Sequence, residues 1–261
     1  MRHVQTRHVV LVATMLAVAW NLHISAQTTA RPAPTATDWA ALAKLPDFTG
    51  VWEISMGGGG GRGRGAAPQG PALTPAAAAR RKQLQSEARE DSPTANCVPP
   101  GMPGIMGQPY PMEFLLTPGQ VTIAIEAYQQ IRHIYTDGRP LPADPDLRFH
   151  GNSIGRWEGD TLVAETVGFS PQTELDRNVP HGDSMRIVER FRLTDPNTMS
   201  IETTITDPDV LTAPYTTTRV LKRHRNWTLA EYICQENNRN FVDANGKAGV
   251  NLSNPSAGSA K

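Results

Sequence analysis

Beyond residue 26 the chain carries four histidines, His133, His150, His181 and His224, and these are its most plausible proton carriers. His133 alternates with Ile131 and Tyr135 in QIRHIYT (130–136). On an inward strand face, that imidazole beside a phenol is a usable acid–base pair; on an outward face it is a rim or surface residue. His150 and His181 each end a long charged loop, in RFHGNS and VPHGDS. His181 with Asp183 offers a base whose ring a carboxylate can orient, and Tyr135 or Arg139 could assist. Asp137 and Asp176 are further loop carboxylates, whereas His224 sits in the basic turn KRHRN and reads as exposed.

Other chemistry finds less support. No two histidines have HxH or HxxxH spacing, so no metal site is expected. GNSIG (151–155) matches a GxSxG nucleophile elbow in letters only, because Ser153 opens a strand that leads to another strand rather than a helix. GGGGGRGRG (57–65) lacks the strand–loop–helix frame and the Lys-Ser/Thr of a phosphate loop. No organic cofactor is expected. Removing the leader described below takes away Arg2 and Arg7 and no acid, leaving 23 basic residues against 25 acidic ones. That balance gives no footprint for nucleic acid, so the RGRG tract reads as a solvated linker.

The elements that must position these groups are mostly strands. Residues 1–26 have the form of a secretory signal peptide: a basic start, the apolar run VVLVATMLAVAW, and a small-residue cleavage site after Ala26. The run is too short to span a bilayer, which takes about 20 apolar residues, so a periplasmic or secreted protein without membrane insertion is expected. Residues 27–45 read as a flexible leader, 46–55 as a turn and a short strand, and 56–73 as a Gly/Arg linker. TPAAAARRKQLQSEARE (74–90) reads as a surface helix capped by Thr74. The segment through 112 is a Pro/Met-rich loop suited to covering a barrel mouth.

From 113 to 238 the pattern is strand after strand: 113–117, 121–128, 130–136, 152–157, 161–169, 185–194, 199–206, 215–224 and 228–236, followed by a polar tail (239–261). EGD, DPNT and HRN read as hairpin connections. The expected fold is all-β: an antiparallel meander closed or nearly closed into a calycin- or lipocalin-like barrel, with the 49–55 strand as a possible addition.

Alternation within the strands leaves two readings open. One face carries Val163, Glu165, Val167 and Phe169; others carry Ile187, Glu189, Phe191 and Leu193, or Leu229, Glu231, Ile233 and Gln235. The matching face of 215–224 holds Thr217, Arg219, Leu221 and Arg223. Turned inward, these carboxylates and Arg219 become polar fixtures in a ligand cavity, with Trp157 and Arg139 as further contacts. Turned outward, they are ordinary cross-strand surface charges. Cys97 and Cys234, the only cysteines, are expected to pair in an oxidising compartment and to staple the Pro/Met loop onto the last strand.

Together, PDFTGVWE (46–53), CVPPGMP (97–103), PMEFLLTPGQVTI (111–123), RHIYTDGRPLPAD (132–144), HGNSIGRWEGDTLVAETVGF (150–169), PHGDSMRIVERF (180–191) and AEYICQENN (230–238) resemble a large group of exported bacterial proteins, most of unknown function. The resemblance implies a secreted, β-barrel-like protein and transfers no reaction; residues 57–65 look like an insertion relative to its pattern. The function expected is binding of a small, largely apolar or aromatic organic molecule inside the barrel. The alternatives are a cofactor-independent lyase, isomerase or hydrolase using the His/Asp groups, and a structural or partner-binding envelope protein.

Overall fold

The structure is a computed structural model that describes residues 33–55, 70–86, 97–234, 240–242 and 248–250. The expected signal peptide, most of the Gly/Arg linker and most of the polar tail lie outside these residues. Nine strands form one closed barrel. In chain order they are β1 (Gly50–Ile54), β2 (Met112–Thr117), β3 (Gln120–Ile125), β4 (Gln130–Tyr135), β5 (Asn152–Glu158), β6 (Thr161–Val167), β9 (Arg186–Asp195), β10 (Thr198–Thr206) and β11 (Tyr215–His224). A small hairpin, β7 (Glu174–Asp176) and β8 (Val179–Pro180), stands in the loop between β6 and β9. A further short backbone hairpin, β12 (Asn240–Val242) and β13 (Ala248–Val250), lies in the expected tail.

Closure depends on the isolated strand β1, which pairs with β11 on one side and β2 on the other, leaving the barrel no free edge. Half of the connections between barrel strands are short turns, at 118–119, 126–129, 159–160 and 196–197. Gly159, at φ +61°, and Asp160 link β5 to β6, pairing Glu158 with Thr161. One pairing departs from an antiparallel meander. The long loop after Tyr135 carries the chain back to the end where β4 began, so β4 and β5 run parallel, with Ile134 opposite Ser153. A loop of that length can make the return, which a tight turn cannot.

Two other expectations are corrected. Residues 228–234 form no strand: the segment after His224 is irregular, and Ala230 N–H donates to Glu126 Oε2 at 2.8 Å. Both sides of β11 are already paired within the barrel, so the segment finds no free strand edge there to join. The leader is not wholly irregular either, since Ala36–Leu42 form a helix, α1. The helix read at 74–90 is α2, Pro75–Ser86, with Ala77 N–H donating to Thr74 Oγ1 at 3.3 Å. Cys97 and Cys234 are bridged, which fits an oxidising, exported setting. The bridge fastens the covering loop to the irregular C-terminal segment, where Tyr232 packs edge-on against Tyr110. Among the described residues, no helix is long and apolar enough to cross a membrane.

The strand registers fix which residues face inward. Phe114 stands opposite Ile123 and Ile123 opposite Arg132; on the other side Ala164 faces Glu189, Glu189 faces Thr203, and Thr203 faces Thr217. One half of the lumen is filled by side chains. Trp52, Phe114 and Phe191 are fully buried, with neighbouring ring centroids 6.5 and 6.0 Å apart. At this closed end Trp52 Nε1–H donates to the Phe48 carbonyl at 2.9 Å, and Phe48 packs on Trp157.

Candidate functional site: a cavity at the barrel mouth

At the opposite end, where β4, β5 and β11 begin, the lumen is not filled by strand residues. A segment of the Pro/Met loop caps it: Met102, Ile105 and Met106 are buried there, and Gly104–Gly107 form a single 3-10 turn. Gly101 makes the entry possible. Its φ is +63°, and a Cβ there would lie 2.3 Å from Thr173 Cγ2 and 2.5 Å from the Phe149 carbonyl oxygen.

Between this cap, the β7–β8 hairpin and the inner faces of β10 and β11 lies a cavity of about 460 Å³. Thr203, Ile205, Tyr215, Thr217 and Arg219 form its strand wall, and Pro100, Pro103, Gly104 and Gln108 its cap. Gln172, Glu174, Leu175, Asp176, Arg177 and Asn178 complete it. α2 braces the hairpin through Arg81, whose Nη2 lies 3.6 Å from Asp176 Oδ2. Burial, and then the charge of Asp176, push the Tyr215 phenol above its ordinary pKa, so it remains an O–H at neutral pH.

Beneath the mouth lies a buried polar bridge. Arg132 and Glu189 are 1% and 0% exposed and form a direct ion pair through Nη2 and Oε2. The same Nη2 donates to Thr166 Oγ1 at 3.2 Å and approaches Ser153 Oγ at 3.4 Å. Ser153 is therefore an interior hydrogen-bonding residue rather than an exposed nucleophile. Arg132 Nε and Nη1 and Glu189 Oε1 are buried with no hydrogen-bond partner among the described residues.

No protein-family model matches the chain, and no curated protein matches it.

Of the residues singled out in sequence, Arg219, its neighbour Thr217 and the loop carboxylate Asp176 line the cavity. Glu189 faces inward as one reading had it, but Arg132 holds it. Glu165 is on the outer face, paired with Arg186. Glu231 is exposed on the irregular C-terminal segment, and Trp157 packs at the closed end. Arg139 lies over the Tyr135 ring at 3.9 Å and donates to Asp137, in the loop after β4.

The candidate acid–base groups do not meet at the cavity. His133 and Tyr135 share the outer face of β4, and His133 Nδ1 lies 3.1 Å from Gln120 Nε2. His150 and His181 stand at the mouth end, His181 with its ring centroid 6.0 Å from that of Phe169, but neither lines the cavity. His181 has both ring nitrogens against carbonyl oxygens, Gly182 at 2.8 Å and Ser170 at 2.9 Å. Asp183 is exposed, and the neighbouring Gly182 N–H donates to Asp207 Oδ2 at 2.7 Å. His150 Nδ1–H donates to the Ile131 carbonyl at 3.1 Å, leaving Nε2 buried with no partner among the described residues. Burial, then the charge of Arg132, bring its pKa down to about 4. Among the described residues, no group of three or more His, Cys, Asp or Glu is placed to hold a metal ion.

Sequence reading missed the β7–β8 hairpin and its cavity residues Glu174 and Arg177. In SPQTELDRNVPHGDS the charged residues resemble a solvated loop, and strands this short have no period to detect. Asn178, at φ +59°, is the turn signal that was there to find.

Proposed function

We propose that this chain is an exported barrel, periplasmic or secreted, that binds a small organic molecule at its mouth. The observation that carries the reading is the cavity of about 460 Å³, within the range of roughly 300–1,000 Å³ usual for small-ligand sites. Its lining is mixed: Pro100, Pro103, Leu175 and Ile205 offer apolar surface, while amides, hydroxyls and charges are set between them. A largely apolar or aromatic body carrying a polar group suits such a wall better than a bare hydrocarbon. The signal-like residues 1–26, the Cys97–Cys234 bridge and the resemblance to exported proteins support the location. An acid–base enzyme has less support, since His133, His150, His181 and Asp183 lie off the cavity lining.

The test is a thermal-shift screen of small organic molecules on the wild type and on Thr217→Trp, which fills the cavity from its strand wall. The reading predicts compounds that raise the wild-type Tm and leave the variant unmoved. Equal shifts in both proteins, or none in the wild type, would contradict it.

A further inference from the structure

The cavity holds equal numbers of acids and bases, yet they are not equally engaged. Glu174 Oε2 accepts the Asn178 N–H at 3.0 Å, and Asp176 faces Arg81. Arg177 and Arg219 also line the cavity, and neither has an ion pair or hydrogen bond among the described residues. Arg177 is exposed on the hairpin turn and can keep its water. Arg219 is half-buried on the inner face of β11, opposite Ile201 and between Thr217 and Leu221. On the cap side its neighbour is a glycine: a Cβ on Gly107 would stand 3.1 Å from Arg219 Nη2 and 3.4 Å from Nε. A planar fork of donors is thus held in a partly desolvated cavity, with no anion among the described residues seated on it.

We propose that Arg219 anchors a monoanionic organic acid, its carboxylate on the guanidinium and its apolar body against Pro100, Pro103, Leu175 and Ile205. The inference rests on the small-molecule reading above and adds the ligand's charge and orientation. A single negative charge follows from the neighbours. A phosphate monoester would bring about −1.5 to −2 into a cavity already lined by Glu174 and Asp176, whereas a carboxylate brings one charge and matches the guanidinium fork. The protonated Tyr215 hydroxyl is a further donor on the same wall.

Isothermal titration of the disulfide-bonded full chain with 2-naphthoate, its neutral amide 2-naphthamide, and 2-naphthyl phosphate tests this. The expected order has naphthoate tightest, by about 10-fold or more over either probe, as charge-assisted hydrogen bonding warrants. Arg219→Met should weaken naphthoate about 10- to 100-fold and leave naphthamide nearly unchanged. Gly107→Val keeps every charge but crowds the guanidinium, and it should also weaken naphthoate selectively. If naphthamide binds as well as naphthoate and Arg219→Met is silent, the anion inference falls while the cavity reading stands. Tighter binding of the phosphate overturns the single-charge argument. If no probe binds the wild type, both readings fall together.

Discussion

Arg132 and Arg219 both stand on the inner face of the barrel, one beneath the mouth and one beside it, and their surroundings are opposite. Arg132 is fully buried and meets Glu189, Thr166 and Ser153; Arg219 is half-buried and meets no carboxylate among the described residues. A buried charge without a partner is too costly to keep, so the lower guanidinium has to be matched by the protein itself. A guanidinium open to a cavity is under no such constraint, because water or a ligand can supply the acceptors. Burial thus separates a structural cation from one available for recognition, although both occupy ordinary inward positions of β-strands.

Breaking the lower pair should have the largest effect. Glu189→Ala leaves Arg132 as an unmatched buried charge and should cost about 3–5 kcal/mol in denaturant unfolding. Replacing both partners, Arg132→Met with Glu189→Leu, should recover most of that loss, which distinguishes an unpaired charge from simple loss of packing. Next comes the cap. Reducing the bridge between Cys97 and Cys234, which are 137 residues apart, releases a long loop and should destabilise the chain by about 2–5 kcal/mol. Unfolding with and without reductant measures it, and ligand affinity should fall as the cap loosens.

Acid sharpens the contrast through His150, which is half-buried near Arg132. Its folded pKa, about 4, lies below that of an unfolded histidine, so between those values the unfolded chain binds the extra proton. Stability is therefore full above about pH 6.5 and falls as the pH drops towards 4, by up to about 3 kcal/mol. His150→Phe should flatten that part of the stability–pH curve. The smallest effect belongs to the mouth: Arg219→Met should change the unfolding free energy by no more than about 0.5 kcal/mol, since no partner is lost.

The two halves were not equally legible in the sequence. Period-two alternation of β-branched residues located the barrel strands closely, and turns such as EGD marked their ends. Alternation cannot say which face points inward, so Glu165 and Glu189 looked alike until their registers separated them. Closure by β1 was visible only as a possibility, because its partners lie far along the chain. The bias towards carboxylates on apolar faces passed over Arg132, whose neighbour His133 drew attention to the outer face of the same strand. Arg219 was legible because it alternates with Thr217 and Leu221, but its lack of a partner depends on folding.

Thermal unfolding of Arg132→Met and Arg219→Met beside the wild type, each with and without saturating 2-naphthoate, tests the central contrast most directly. The account predicts that Arg132→Met melts well below the wild type. It also predicts that Arg219→Met matches the bare wild-type Tm and gains much less than the wild type from the same ligand. Equal ligand-induced shifts in wild type and Arg219→Met, or a bare Arg219→Met as unstable as Arg132→Met, would contradict it.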